Sequence, residues 1–181
     1  MAGRRRRLIG TLAGALALAG LGVGCANPLV YSDGRFLSRQ YGFSFAEPAG
    51  EPPWKRVDQD HALVAFVRPG GARMSAQSEC GTAPRQSPQL LARSLLIGVA
   101  PLHLRQSGPV AVGPWSGWSQ RVDPEVDGRE RHLKTVTLVA ETCIVDFLLL
   151  AGDDFEAAEP GFDGWWQSFE SAGAAAPGVA P

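Results

Sequence analysis

Chemistry-bearing residues are sparse in this sequence. Only three cysteines and three histidines occur in 181 residues. No C-x-x-C brings two thiols together, which removes the arrangement that lowers a thiolate pKa in thioredoxin-like redox sites. His61, His103 and His132 are scattered, with neither an H-E-x-x-H nor a paired Cys/His spacing, so no metal is expected. There is no G-x-S-x-G elbow, and the nearest look-alike, GPWSGW, sets Ser116 in the wrong frame. The glycines of RPGGAR lack the strand–helix setting of a phosphate loop and read as a hairpin turn. Asp153 and Asp154 are paired acids, but a helix N-terminus explains them, and Asp58 and Asp60 read as turn residues before a strand. No catalytic residue, metal or cofactor is assigned, and the chain reads as a non-enzyme.

Positive charge is also scarce where it would matter. Arg4, Arg5, Arg6 and Arg7 are the only charged side chains before Cys25, and without residues 1–24 the chain keeps 13 basic against 18 acidic residues, a net charge of -5. A mildly acidic domain is a poor match for a phosphate backbone, so nucleic acid is not an expected partner. The chain also has no apolar run of the ~20 residues that a membrane-spanning helix needs. Leu8 to Val23 is apolar for 16 residues only. With the arginines before it and Gly22 and Gly24 after it, this segment reads as an export leader.

The sequence LGVGC resembles the lipobox of bacterial lipoproteins: a leucine, small residues, then the cysteine. The resemblance implies that the Cys25 thiol carries diacylglycerol, that residues 1–24 are removed, and that the new amino end is acylated with a fatty acid such as palmitate. Leu21 stands at the fourth position before Cys25, where the pattern puts leucine at the third; Gly22 occupies that place. The alternative is an ordinary secretory signal cut near Gly24 or Ala26. Several acyl chains at ~0.8 kcal/mol per buried CH₂ would anchor firmly. Ala26, rather than Asp, follows the cysteine. By the sorting rule of these lipoproteins, that places the chain at the outer membrane, facing the periplasm.

What remains is enough for one core: 45% of residues are hydrophobic and 19% charged. Residues 25–34 read as the lipidated cysteine and a tether. The ending AGAAAPGVAP, residues 172–181, reads as a disordered tail, leaving a domain over 35–171. Tyr41, Phe43 and Phe45 alternate at period two, which predicts a strand pair turning near Gln40. HALVAFV and RMSAQSEC flank RPGGAR as a hairpin. SPQLLARSLLIG predicts a helix with Ser87 as N-cap, Pro88 in the first turn and Gly98 beyond its end. Strands resume in LHLRQSGPVAV, with a bend at Gly108-Pro109, then in WSGWSQRV and RERHLKTVTLVA around a turn at Asp127-Gly128. CIVDFLLLA reads as a central strand buried on both faces. Asp153 to Glu156 fits a capping box, Pro160 and Gly161 interrupt, and Phe162, Trp165, Trp166 and Phe169 form one helical face. The order predicts an α+β domain, an antiparallel sheet covered by helices.

In that order the segments resemble the PsbP-like family. RQYGFSFAEPAGEPPW is similar to its opening aromatic strand and proline–tryptophan loop. HALVAFV with RMSAQSEC is similar to its next hairpin, SPQLLARSLLIG to its first helix, and VDGRERHLKTVTLVAETCIVDFLLLAGDDFEAAEPGFDGWWQSF to its final hairpin and closing helix. The resemblance implies an α/β/α sandwich over about residues 35–170, and it is closer to small bacterial lipoproteins of that fold than to the photosystem subunit. It implies no catalytic residues, and the subunit's role at the manganese cluster does not carry over.

With Cys25 assigned to lipid, Cys80 and Cys143 remain. Both fall at predicted strand ends, and in an oxidising compartment they are expected to pair; the alternative is two buried, inert thiols. So long a loop would contribute about 4 kcal/mol by chain entropy. Of the tryptophans, Trp115 and Trp118 in W-S-G-W face opposite sides of a strand, so at least one is a candidate partner contact. The expected function is a lipid-anchored accessory or binding subunit for another envelope component, with an envelope protein as the expected partner. The alternatives are a carrier or sensor of a small apolar ligand between sheet and helix, and an unrecognised hydrolase.

Overall fold

The computed structural model describes residues 29–99, 102–126 and 128–171. The leader, Cys25, residues 26–28 of the tether, Asp127 and the tail from Ala172 lie outside them. In chain order the elements are β1 Leu29–Ser32, β2 Arg35–Ser38, β3 Phe43–Ala46, β4 Lys55–Val57, β5 Val64–Val67, β6 Arg73–Cys80, α1 Pro88–Ser94, β7 Leu102–Val112, β8 Trp115–Val126, β9 Arg129–Glu130, β10 His132–Val139, β11 Cys143–Ala151, α2 Phe155–Gln167 and β12 Glu170–Ser171. They form an antiparallel sheet in the order β4-β5-β6-β11-β10-β8-β7, with β9 paired to β8, and a small sheet in the order β1-β2-β3-β12.

The large sheet has an inner face carrying the aromatic core and an outer face. Phe66, Met74, Phe147, Leu149 and Val136 point inward from successive strands. They meet Phe36, Phe43 and Phe45 of the small sheet and Phe162, Trp165 and Phe169 from α2 and the turn beyond it. Trp165 is the hub, edge-on to Phe45, Phe66 and Phe147 with centroids 5.7, 5.5 and 5.1 Å away. Each such pair adds about 0.5–1.5 kcal/mol beyond the area it buries.

The expected cover of helices is corrected. Among the described residues there are two helices, and the small sheet shares the inner cover with α2. The aromatic alternation of β2 and β3 buries those rings against Phe147 and Trp165 as effectively as a helix would. Among the described residues the outer face carries only α1. CIVDFLLLA accordingly alternates between fully and partly buried instead of being buried on both faces.

Other differences are local. The segment read as tether contains β1, joined to β2 by Asp33-Gly34 with φ of 53° and 74°, a type I′ hairpin turn. The first helix starts as expected, with Leu90 N–H donating to Ser87 Oγ, but α-helical geometry stops at Ser94 and turns carry the chain to Gly98, φ 86°. β7 runs straight through Gly108-Pro109; its irregularity lies between Leu104 and Gln106. The capping box at Asp153 does not form. Asp154 is the N-cap, and its carboxylate accepts from the Ala72 N–H across the fold. Nor does Pro160 break α2. Its missing hydrogen bond and ring clash, about 3 kcal/mol, are outweighed by burial of Phe155, Phe162, Trp165 and Trp166 at about 1.5–3 kcal/mol or more each.

Candidate functional site

Three polar constellations stand out from this frame. On the inner face beyond the aromatic core, Arg121 of β8 and Lys134 of β10 are cross-strand neighbours beneath α2. Arg121 meets Glu156 at 2.7 Å and lies 4.2 Å over the Phe155 ring. Lys134 meets Glu159 at 2.8 Å and Asp163 at 2.8 Å. A cleft of about 210 Å³ opens beside them, lined also by Gln106, Ser119 and Trp166. Both cations are already answered by α2 carboxylates, so the arrangement clamps helix to sheet and has no cation left for an anionic ligand.

The second constellation centres on Asp123, also on β8, which is 4% exposed. Its carboxylate accepts from Arg105 Nε, and its Oδ1 lies 2.7 Å from His132 Nδ1. Burial alone would raise its pKa, but the bonds to His132 and Arg105 and the guanidinium charge outweigh that and hold it below the usual carboxylate range. The His132 ring packs edge-on against Phe155, centroids 5.3 Å apart. An aspartate–histidine pair can serve a nucleophile, but among the described residues no hydroxyl or thiol is bonded to the ring, so the pair reads as a tie between β8 and β10.

The third lies on the outer face, where α1 crosses β8 and β10 and Gln120 Nε2 donates to the Ala92 carbonyl at 2.6 Å. Beside the helix is a cleft of about 300 Å³. Leu91 and Ser94 of α1 with Leu95 just beyond it form one wall, Gln77 and Glu79 of β6 the other, with Ile144 and Asp146 of β11 between them and His61 at the rim. His61 holds φ 63°, a left-handed conformation uncommon outside glycine. Asp146 is mostly buried; burial is the main reason its pKa is pushed up to about 6, against opposing hydrogen bonds from Thr137 and Gln77. Thr137 Oγ1 donates to Asp146 Oδ1 at 2.6 Å. The nearby Glu79 charge raises it further. This is the cleft that joins a strongly shifted acid to a concave surface, the usual mark of a site.

The residues singled out in the sequence fall differently. Cys80 and Cys143 are directly opposed on β6 and β11 and form a disulfide. Trp115 is buried among Phe43 and Phe169 and has almost no surface for a partner. Trp118 faces the other way and is half-buried on the outer face, in one cross-strand row with Thr137 and Asp146. Cys25 lies outside the described residues. His103 is exposed on the edge strand β7. Sequence reasoning missed Asp146 and Asp123. Asp146 had a signal, as the one charge inside CIVDFLLLA. Asp123 had none, because VDPEVDG reads as a turn.

No protein-family model matches the chain, and none of the curated proteins matches it. Solved structures do. The cyanobacterial PsbP protein CyanoP of Synechocystis superposes with a TM-score of 0.57 at 17% identity, covering 87% of this chain and 99% of that one. LpqN of Mycobacterium tuberculosis, described as involved in cell envelope biogenesis, gives 0.54 at 14% identity, covering 69% and 79%. A Pseudomonas aeruginosa protein of unknown function gives 0.50 at 13%, covering 64% and 94%. The chain has the PsbP-like fold.

Proposed function

We propose that this chain is a non-enzymatic, lipid-anchored accessory subunit of the cell envelope, and that it binds an envelope protein through the α1 side of its large sheet. One observation carries the reading. Of the five large apolar side chains left exposed among the described residues, three belong to α1, the turn after it and the edge strand: Leu90 (50%), Ile97 (82%) and Leu104 (62%). Leu104 shares the outer face with Trp118, the tryptophan left outside the core. The aromatic core is packed without them, so these side chains are surplus to the chain's own packing, and exposed apolar side chains of this kind mark interaction surfaces.

Two further points support the location. The stretch LGVGC, residues 21–25, resembles a lipobox, and a protein of this fold, LpqN, is described as involved in cell envelope biogenesis. No helix of the described residues is long and apolar enough to cross a membrane, so attachment would rest on Cys25. The carrier reading has less support, because each of the clefts just described places charged side chains beside apolar ones. Mass spectrometry of the mature protein tests the anchor: diacylglycerol and an amide-linked acyl chain on Cys25 are expected, and a mature mass without an acyl increment would refute it. Recovery of the partner is expected to fall about tenfold for Ile97→Asp with Leu104→Asp, a change of about 1.4 kcal/mol, whereas undiminished recovery would remove α1 as the contact.

A further inference from the structure

We propose that the cleft between α1 and the outer face of the large sheet binds a small ammonium compound with an aliphatic body, its head held by Asp146 and Glu79 and its body by Leu91, Leu95 and Ile144. The register places the two acids. Asp146 pairs with Gln77 and Ile144 with Glu79, so Asp146 and Glu79 are diagonal neighbours on one face. Diagonal positions stand about 7–8 Å apart, within reach of one ammonium group between two carboxylates.

The treatment of the two buried-strand acids is the second strand of the argument. Asp123 is answered by Arg105 and His132. Asp146 receives neutral donors only, from Thr137 and Gln77, and neither it nor Glu79 has an ion-pair partner among the described residues. Among the described residues that line the cleft there is no lysine or arginine, and His61 sits at its rim. A desolvated carboxylate facing a second carboxylate is unfavourable until a cation joins them. The aliphatic wall excludes a bare, strongly hydrated metal ion as the best match and favours an organic cation, whose body the leucines and isoleucine would desolvate. The volume of about 300 Å³ is at the small end of ligand sites, which limits the body to a few carbons or one ring. The net charge of -5 on residues 25–181 concentrates cations near the surface.

The proposal does not depend on the partner-binding reading and can fail without it. The test is isothermal titration of the full chain as purified from membranes, with cyclohexylammonium, cyclohexanol and cyclohexanecarboxylate: one body, three heads. Cyclohexylammonium is expected to bind with a Kd of about millimolar, and the other two at least about tenfold more weakly. Asp146→Asn and Glu79→Gln are each expected to weaken the ammonium compound about tenfold or more. Glu79 is exposed, so its variant keeps the test valid if Asp146→Asn disturbs folding. No heat from cyclohexylammonium, equal binding of cyclohexanol, or unchanged binding by both variants would each overturn the assignment.

Discussion

Asp123 and Asp146 lie on strands of one sheet and meet opposite environments. Asp123 is ionised by its partners and contributes stability that is present above the ordinary aspartate pKa near 4 and is lost as pH falls through its lowered value. Asp146 has the reverse sign. Its pKa in the fold is about 6, so its contribution is fully present below pH ~4 and is lost as pH rises through 6. Asp146→Asn keeps an acceptor for Thr137 and removes the buried charge. The variant is expected to be more stable than wild type at pH 7 by up to about 3 kcal/mol, with the gap closing by pH 4. Urea unfolding at the two pH values checks this; a variant less stable at pH 7 would show that Asp146 is not under desolvation strain. A residue that weakens the fold at neutral pH while facing a cleft fits a binding role.

Among elements, α2 shows how packing overrides local propensity. Gly161 lies in its middle, and a Cβ there would stand 2.7 Å from the Ala49 carbonyl oxygen and 3.1 Å from Trp54 Nε1. Gly161→Ala should gain about 1 kcal/mol of helix propensity yet destabilise the protein, by about 1–3 kcal/mol net, because backbone cannot yield as a side chain can. A raised Tm would contradict this. The β6–β11 pair is tied by Cys80 and Cys143 at its end. Replacing both by serine is expected to lower stability by about 2–4 kcal/mol, read as a lower urea midpoint, and no change would mean the bond does not constrain the unfolded chain. These elements were unevenly legible. β6, β7 and β11 carry their own boundaries in apolar alternation and turn residues, and Ser87-Pro88 marks the start of α1. The small sheet was hidden as a cover because its partners, Phe147 and Trp165, lie a hundred residues away. β1 was missed although Asp33-Gly34 is a strong hairpin signal, since LVYS looks like an extended tether without the pairing that Arg35–Ser38 supplies. The unbroken α2 was illegible because Pro160 argues locally for a stop, and only the aromatic core argues against it.

For the molecule entire, the PsbP-like fold puts the aromatic core on the inner face of the large sheet and α1 on the outer one. On that outer face a short helix, exposed apolar residues and an acid-bearing cleft sit together. The order of segments pointed to the fold. The cleft was not visible in the sequence, because β6, β11 and α1 meet there only through sheet register and helix placement. The central claim is that this surface joins a lipid-anchored chain to an envelope protein. In-cell crosslinking followed by affinity purification from membranes tests it most directly, comparing wild type with a Cys25→Ser form exported through a standard signal. The account predicts one dominant protein partner that is captured by wild type and lost when the anchor is removed. Wild type that captures no protein, or captures the same one without its anchor, would contradict it.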